Sequence, residues 1–370
     1  MRLIRLTSEY IDELIGGRIG RRGPLLESCA LTLGSFDGLH RGHMALIRAV
    51  QASRRERGLA AGAVFTFMQH PRLVLDPGPE PFLLTTWREK LSVLHDSECK
   101  VIVAADFCPA LSRLGYREFV EKFLVGYLGM RHLVAGHDVH LGAERGGTAA
   151  TLAALGDELG YTMEVLPAVE NGAGVISSSA IRRAVQAGDM RRATSMLGRP
   201  YALWGEVVPG DRRGRQIGFP TANVVPLDEL KLLPETGVYA VRVQVPGDVA
   251  PEGGEGELAR VRESLPEVDM NGDLLSTASA DWAVYEGMLN FGYVPTFHGD
   301  GLPEPRIEVN IFGFDGHLRG RNVKVEWIER LRGERKFAGV AELTAQLGRD
   351  REAAREALAR TAGAGPEAGS

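Results

Sequence analysis

Hydrophobic positions follow two different patterns in the two halves of the chain. In the first half, short apolar runs alternate with segments whose apolar residues recur every three or four positions. The apolar runs, which predict strands, lie at 30–34, 62–67, 100–105, 132–136 and 162–167. The periodic segments, which predict helices, lie at 43–54, 88–95, 117–128 and 148–159. Strands that alternate with helices in this way predict an α/β fold with a doubly wound parallel sheet.

The pattern changes near residue 200. Valine-rich stretches separated by Gly, Pro and Asp turns occupy 202–208, 237–245, 282–287, 306–314 and 322–327. This spacing predicts an antiparallel barrel or sandwich, followed by one terminal helix at 340–360. We therefore expect two domains, 1–188 and 189–360, with a short linker helix at Met190–Leu197.

Two segments show neither pattern. Residues 246–275 contain eight Asp or Glu against two Arg, so this segment alone carries a net charge of −6. We expect a solvated surface insertion there. Residues 361–370 are rich in Gly and Ala, and we expect a disordered tail.

The overall composition limits the class of protein. The 370 residues include 43 Lys or Arg and 48 Asp or Glu, for a net charge of −5. Because the acidic segment accounts for this charge, the remainder is nearly neutral, which argues against a nucleic-acid partner. The apolar runs are too short to span a bilayer, so we expect no membrane partner. Three cysteines without metal or disulfide spacing favour the cytoplasm.

The densest motif is G-S-F-D-G-L-H-R-G-H at 34–43, between a predicted strand and a predicted helix. His40 and His43 would lie beside the helix N-terminus, whose N–H groups and partial positive charge suit a triphosphate. Both imidazoles could then donate hydrogen bonds to the α-phosphate as negative charge develops during the reaction. The other phosphate-binding residues predicted in this motif are Gly34, Phe36, Asp37 and Gly42.

A second motif, I-S-S-S-A-I-R at 176–182, follows the last strand predicted in this half and begins another helix. Ser177 and Ser178, with Arg182 on the first turn, would form a cradle for the β- and γ-phosphates. Taken alone, the segment is explained as well by a helix N-cap with a surface arginine. Its combination with the two histidines favours phosphate binding.

The second half contains G-R-Q-I-G-F-P-T-A-N at 214–223. An ordinary hairpin turn would explain the glycines alone, but the full string predicts a loop whose backbone wraps phosphates. Thr221 and Asn223 offer neutral oxygens, which suit Mg²⁺ that phosphates also hold. The predicted ATP-binding residues here are Gly210, Gly214, Arg215, Gly218, Thr221 and Asn223.

These motifs resemble those of the nucleotidylyltransferase superfamily and, most closely, of the prokaryotic bifunctional riboflavin kinase/FAD synthetase family. In the first half, the segments 66–71, 84–91 and 136–142 match that family in order. In the second half, the segments 237–240, 287–292, 308–312 and 331–337 do so. The resemblance implies a Rossmann-like FMN adenylyltransferase domain followed by a riboflavin kinase β-barrel with a terminal helix.

The resemblance also implies ligands and residue roles. Riboflavin and ATP would give FMN in the barrel, and FMN and ATP would give FAD and pyrophosphate in the first domain, both with Mg²⁺. Glu308 would be the general base on the ribityl 5′-hydroxyl, which is chemically sensible for a primary alcohol that attacks a γ-phosphate. Thr221 and Asn223 would bind Mg²⁺. The implied flavin-binding residues are His70, Asp138, Asn290 and Arg332.

One departure from the family keeps alternatives open. The family favours a Phe-x-Phe pair where this chain has Val139 and Leu141, and those aromatics belong to the wall beside the flavin. One alternative is a paralogue that acts mainly as a riboflavin kinase or on a modified flavin. Another is a non-catalytic flavin-binding regulator, although such a protein has little need of a general base. We expect at most a weak homo-oligomer.

Overall fold

The computed structural model describes residues 1–18, 23–76, 78, 81–172, 174–210, 213–249, 256–264, 267–268, 274–276, 279–294 and 304–362. The predicted tail at 361–370 lies outside these residues, except for its first two positions. The chain forms two compact units, of which the first comprises Met1–Ser178 and Pro266–Thr277 and the second comprises the remainder. The main division, between Ser178 and Ser179, falls ten residues before the predicted boundary. Within the described ranges, no helix combines the length and the apolarity that a membrane crossing requires.

The first unit is built on a six-stranded sheet with the order β1-β4-β3-β2-β5-β6. Every neighbouring pair of strands is parallel, which confirms the predicted doubly wound sheet. Val64 and Phe65 are successive residues of β3 that belong to separate hydrophobic clusters, because successive side chains point to opposite faces. Both faces are therefore buried. The strands are β1 Arg2–Leu6, β2 Cys29–Leu33, β3 Ala61–Phe67, β4 Val101–Ala105, β5 Met130–Gly136 and β6 Thr162–Leu166.

Helices cover this sheet, and one of them differs from the prediction. The segment predicted as a helix at 117–128 begins as one α-turn, α6, and continues as a π-helix, Val120–Tyr127. Leu128 donates its N–H to the carbonyl of Phe123, five residues earlier. Gly126 permits the wider turn, since a Cβ there would lie 2.9 Å from the carbonyl oxygen of Glu121. The helices are α1 Ser8–Ile15, α2 Arg41–Glu56, α3 Arg72–Leu75, α4 Trp87–Asp96, α5 Pro109–Ser112, α6 Tyr116–Phe119 and α7 Ala149–Leu159, and a small hairpin pairs β7 Glu170–Asn171 with β8 Gly174–Val175.

The second unit is a closed antiparallel barrel, so the barrel rather than the sandwich is confirmed. Its strands follow the order β11-β17-β9-β10-β16-β15, and β15 pairs with β11 to close the ring. The barrel strands are β9 Tyr201–Val208, β10 Ala222–Pro226, β11 Gly237–Pro246, β15 Ser279–Val294, β16 Glu304–Ile311 and β17 Asn322–Arg332. The accompanying helices are α8 Ser178–Gln186, α9 Met190–Leu197, α10 Arg213–Gln216 and α11 Val340–Ala362. The predicted linker and terminal helices correspond to α9 and α11.

The prediction of a loop at 246–275 was wrong for those described residues of the segment that form strands. Strand β12, Glu257–Ser264, pairs in antiparallel fashion with β15 and lies at the end of the strand order. A strand paired on one edge tolerates charged residues that would be costly in a central strand. Because β12 is such a strand, its amino-acid composition resembles that of a loop. Two further short strands, β13 Glu267–Val268 and β14 Leu274–Ser276, pair with each other.

Candidate active sites

The predicted residues of the first unit follow three adjacent strands at the carboxyl edge of the sheet. His40 follows β2, His70 follows β3, and Asp138 follows β5, while β2 lies between the other two strands. The strand order reverses direction around β2. Ligands of open α/β sheets bind at the carboxyl ends of the strands at such a reversal. The fold thus places these residues at the expected ligand edge.

His40 and His43 form a stacked pair at the start of α2. His40 is the N-cap residue, and its Nδ1 accepts a hydrogen bond from the backbone N–H of His43 at 3.3 Å. The ring centroids lie 3.6 Å apart at an interplanar angle of 16°. Because Nδ1 accepts, a neutral His40 carries its proton on Nε2, where it can be donated to a ligand. The ring of Phe36 packs edge-on against His43, with 5.1 Å between centroids.

Gly42 leaves room for this arrangement. A Cβ at this position would lie 3.2 Å from the Cε1 and the Nδ1 of His40. Such distances are tighter than nine in ten real Cβ contacts, so the His40 ring would have to shift by a few tenths of an ångström. The glycine therefore allows the imidazole of His40 to lie over the first turn of α2.

The loop that precedes the histidines is strained and firmly held. Phe36 and Leu39 have positive φ angles of +48° and +43°, which are uncommon for residues other than glycine. The carboxylate of Asp37 accepts the backbone N–H groups of Leu84 at 3.2 Å and of Thr85 at 3.0 Å. Phe36 and Asp37 are 1% and 2% exposed, so their side chains support the loop from within.

The serine motif meets this loop through one hydrogen bond. The hydroxyl of Ser178 donates to the carbonyl of Asp37 at 2.8 Å, so the structure brings the two predicted phosphate motifs together at this point. Helix α8 begins at Ser178. Arg182 is the fifth residue of that helix, so the expectation that it lies on the first turn was wrong.

The side predicted to face the flavin combines aromatic and aliphatic residues. The ring of His70 contacts that of Phe82 edge-on at 5.1 Å, and its Nδ1 accepts the backbone N–H of Arg72 at 3.2 Å. Asp138 has a side chain that is 82% exposed. Val139 and Leu141 are partly buried against the core of the first unit. The wall at these two positions is therefore aliphatic.

In the second unit, strand register aligns three predicted site residues. Glu308 on β16 is paired with Asn223 on β10 and, on its other side, with Asn290 on β15. All three line a cavity of about 400 Å³ in the barrel. The other polar residues of the lining are Thr221, Arg306, Asn310, Arg332, Glu334 and Arg335, and the apolar ones include Phe219, Met288, Phe337, Leu343 and Leu347.

The glycine-rich loop closes tightly over one side of this cavity. A Cβ on Gly210 would collide with the amide of Asn223, and a Cβ on Gly214 would collide with the carbonyl of Phe219. Asn310 donates its side-chain N–H to the carbonyl of Pro220 at 2.6 Å and so ties the loop to the strand that contains Glu308. The glycines thus leave room beside the oxygens of Thr221 and Asn223.

Two ion pairs fix charged groups of the cavity. The Nη2 of Arg306 lies 2.9 Å from a carboxylate oxygen of Glu308. The guanidinium of Arg332 donates to both oxygens of Asp350 on α11, at 2.9 and 2.7 Å. Asp350 is 3% exposed, so this contact attaches the terminal helix to the end of β17. Arg332, predicted to bind flavin, therefore already has a structural partner.

The donor set determines whether Mg²⁺ fits. Within the described residues, no cluster of three or more His, Cys, Asp or Glu side chains could hold a metal ion by itself. Thr221 and Asn223 instead offer neutral oxygens beside a loop that leaves space for phosphates. This pattern fits an ion whose remaining ligands are phosphate oxygens and water.

Three residues near the sites were missed by the sequence analysis. Arg306 and Asn310 flank Glu308 at a spacing of two, which places them on its face of the strand, and this periodicity was the available signal. Lys90 lies beneath the loop of the first site. Its position within a matched segment was visible in the sequence, but its contacts depend on tertiary folding.

The first unit has a parallel sheet with a histidine pair at the start of a helix. The second unit has a barrel in which a carboxylate lies opposite a glycine-rich loop. These features define an enzyme with two sites that transfers groups from a nucleoside triphosphate, and similarity to known proteins shows its family. The family model for FAD synthetase matches residues 24–180, and the model for riboflavin kinase matches residues 197–358. The chain belongs to the bifunctional riboflavin kinase/FMN adenylyltransferase family, and it has both activities.

Individual relatives support this assignment over nearly the whole chain. The bifunctional riboflavin kinase/FMN adenylyltransferase of Bacillus subtilis is 36% identical over 327 residues, which cover 88% of this chain and 90% of that protein. The protein of the same name from Escherichia coli K12 is 34% identical, with 89% and 93% covered. A crystal structure described as a macrolide-efflux protein from Streptococcus pneumoniae matches with a TM-score of 0.74 and 30% identity, covering 95% of this chain and 99% of that one.

Proposed function

We propose that each activity has its own site, with His40 and His43 serving adenylyl transfer and Glu308 serving riboflavin phosphorylation. The observation that carries this assignment is the separation of two sets of residues into two compact units. The histidine pair lies at the ligand edge of the parallel sheet. Glu308, Asn223 and Thr221 share one cavity in the barrel.

In the barrel, the ribityl 5′-hydroxyl of riboflavin attacks the γ-phosphorus of ATP. Glu308 accepts the hydroxyl proton, the new O–P bond forms, and ADP leaves with the bridging oxygen and its electrons. Arg306, at 2.9 Å, keeps the carboxylate of Glu308 oriented before substrate arrives. Asn290, on the other side of Glu308 in the register, is placed to orient the flavin side of the substrate.

Thr221 and Asn223 would hold Mg²⁺ together with the phosphates of ATP. Bound there, the ion would supply neutralisation of the phosphate charge. The residues of the chain provide the remaining functions. Gly210, Gly214 and Gly218 let the main chain approach the phosphates closely, and Arg215 adds positive charge on the exposed side of the loop.

In the first unit, a phosphate oxygen of FMN attacks the α-phosphorus of ATP. A new P–O bond forms, the bond between the α-phosphorus and the bridging oxygen breaks, and pyrophosphate leaves with the electron pair. The Nε2–H of His40 and the imidazole of His43 stabilise the charge on the α-phosphate. Ser177 and Ser178 bind the departing phosphates, and Gly34 and Gly42 let the main chain approach them closely. The phosphate-binding role expected for Arg182, which belongs to the second unit, stays a prediction.

The remaining assignments concern flavin binding and cellular location. His70 and Asp138 bind FMN at the first site, and Arg332 contributes to the flavin side of the barrel cavity through α11. We place the enzyme in the cytoplasm, which is supported by three free, buried cysteines. Its partners are riboflavin, FMN and ATP, with no nucleic acid or membrane, and it forms at most a weak homo-oligomer.

The two-site assignment is tested by following FMN and FAD chromatographically after riboflavin, ATP and Mg²⁺ are supplied. The wild-type chain should accumulate FAD. His43→Ala should stop at FMN, because only adenylyl transfer is lost. Glu308→Ala should form no FMN from riboflavin but should still make FAD when FMN is supplied.

Two outcomes contradict the assignment. If either substitution removed both activities from folded protein, the two sites would not be independent. If wild-type chain halted at FMN, it would act as a riboflavin kinase whose first domain is compromised, as the aliphatic residues Val139 and Leu141 would explain. Circular dichroism and thermal melting of each variant show whether it is folded.

A further inference from the structure

Lys90 is a buried, positively charged residue beneath the phosphate loop of the first site. It lies in the first turn of α4, whose N-terminus is capped by Thr86 and Glu89. Only 5% of Lys90 is exposed. Its ammonium group donates hydrogen bonds to the carbonyl of Ser35 at 2.8 Å and to the carbonyl of Phe67 at 3.1 Å.

These two carbonyls belong to the two segments that meet beside the first site. Ser35 belongs to the strained loop that leads to the histidines, and Phe67 is the last residue of the neighbouring strand β3. Two neutral hydrogen bonds connect the start of the loop to β3: Gly34 donates its N–H to the carbonyl of Phe65 at 3.1 Å, and the hydroxyl of Thr66 donates to the carbonyl of Ser35 at 3.4 Å. The ammonium group of Lys90 adds a charged donor that contacts both the loop and the last residue of β3.

The electrostatic surroundings compensate the charge only in part. Burial lowers the pKa of Lys90 to about 8, and attraction to Asp37 opposes that shift. The other charged group nearby on α4, Glu89, is engaged by the backbone N–H of Thr86 at 2.9 Å. The ends of β2 and β3 present carbonyl oxygens, and the ring of Trp87 lies 5.8 Å from the ammonium nitrogen.

We propose that Lys90 is a positioning residue for adenylyl transfer, which holds the 34–40 loop so that His40 and His43 meet the α-phosphate. This inference rests on the proposed role of the histidines. A buried charge is costly to desolvate, and the two hydrogen bonds that Lys90 donates to main-chain carbonyls offset part of this cost. Hydrogen bonds from a charged donor are about twice as strong as neutral ones, which suits a residue that fixes a strained loop.

The test compares Lys90→Met with wild type in the full-length chain, and Lys100→Met is the matched control because Lys100 is exposed in the same unit. Lys90→Met keeps an unbranched side chain but removes the donors. We expect the kcat for FAD formation from FMN to fall about 100-fold, as geometric misplacement in an active site does. Riboflavin phosphorylation should stay within twofold of wild type, and the variant should remain folded at the assay temperature.

A lower kcat for FAD formation, expressed per folded protein and with riboflavin phosphorylation retained, distinguishes positioning from a merely structural role. FAD formation within threefold of wild type in folded Lys90→Met overturns the proposal, as does a loss fully accounted for by unfolded protein. His43→Ala, measured in parallel, separates the two claims. If His43→Ala still forms FAD, the assignment of the histidine site is wrong. If His43→Ala forms no FAD while Lys90→Met remains active, only the role proposed for Lys90 is refuted.

Wild-type chain provides a second test that does not depend on a folded variant. As pH rises through about 8, Lys90 loses its proton, and the ratio of FAD-forming to FMN-forming kcat should fall. The same ratio in Lys100→Met should follow wild type. A ratio that stays constant from pH 7 to pH 9 overturns the proposal.

Discussion

Asn223 and Glu308 lie directly opposite each other on the neighbouring antiparallel strands β10 and β16. Directly opposed residues have Cβ atoms about 4.5–5.5 Å apart, so the two side chains can act on the same group. Both line the barrel cavity. The proposed metal ligand and the proposed general base are thus fixed by the same strand pair, and they should act as one unit.

This relationship predicts strongly non-additive effects on riboflavin phosphorylation. Glu308→Ala should lower kcat by about 10²–10⁴-fold, the usual range for loss of a general base. Asn223→Ala should also lower kcat, but the double variant should be scarcely slower than Glu308→Ala, because residues that act together are not independent. Initial rates of FMN formation, measured for wild type, the two single variants and the double variant, complete this double-mutant cycle.

The control for this cycle is Glu206→Ala, which removes an exposed glutamate from the neighbouring strand β9. It should leave the rate of FMN formation unchanged. FAD formation from supplied FMN should be normal in all variants. Fully additive losses in the double variant would contradict joint action.

The site of the second unit was predictable from the sequence only in part. The loop motif identified Thr221 and Asn223, and the resemblance to the family identified Glu308. The alignment of Glu308 with Asn223 and Asn290 was not predictable, because strand pairing across 85 residues of sequence depends on how the barrel closes. The same limit concealed β12, whose charged composition hides a paired edge strand.

In the first unit, the position of the phosphate motif was predictable from the sequence, but the role of each side chain in it was not. Phe36 and Asp37 were predicted to bind phosphate, and that role stays a prediction. Their side chains are almost fully buried and support His43 and the 84–85 segment. The role of each side chain depends on main-chain angles and on hydrogen bonds between distant segments. Neither can be inferred from the motif alone.

Gly42→Ala should selectively impair adenylyl transfer. The added Cβ would lie 3.2 Å from two ring atoms of His40, so the imidazole must shift by a few tenths of an ångström. We expect kcat for FAD formation to fall at least about tenfold, since small displacements of catalytic groups are costly. Helix propensity alone would favour alanine over glycine at this position, so stability should change little.

Gly348→Ala is the matched control, because a Cβ there would meet no atom within 4 Å. It should leave both activities unchanged. FAD formation at the wild-type rate in Gly42→Ala would show that the stacked histidine geometry is not needed. Steady-state rates with FMN as substrate decide the outcome.

Asp350→Asn should loosen the attachment of α11 to the barrel cavity. The substitution keeps the shape of the side chain but removes the charge that holds Arg332 through two hydrogen bonds. Loss of a hydrogen bond to a charged group costs about 1.5–3 kcal/mol. Because Leu343 and Leu347 of the same helix line the cavity, KM for riboflavin should rise more than kcat falls.

The exposed Glu352 on α11 provides the comparison for this prediction, and Glu352→Gln should leave KM for riboflavin unchanged. Urea unfolding of the second unit gives the stability change. Asp350→Asn with the wild-type KM and stability would mean that the ion pair does not hold the helix in place.

Lys90 should give the first unit a pH-dependent stability opposite in direction to its effect on activity. Its pKa is about 8 in the folded chain, against an ordinary value of 10.5. Between these values the unfolded chain binds more protons than the folded one, so the free energy of unfolding rises with pH. From pH 7 to pH 9.5 the expected gain is roughly 2 kcal/mol, and Lys90→Met should lack it.

The comparison between the two chains isolates this contribution. Burial also raises the pKa of the Cys29 thiol to about 12, which lowers stability above its ordinary value of 9.0 but does so equally in wild type and variant. Urea-dependent hydrogen exchange of peptides from β2 and β3 measures the unfolding free energy at both pH values. If the difference between wild type and Lys90→Met is the same at pH 7 and pH 9.5, Lys90 does not titrate in this range. Because the charged form costs stability yet is the form present at neutral pH, a confirmed difference would mean that the fold retains this charge at the expense of its own stability.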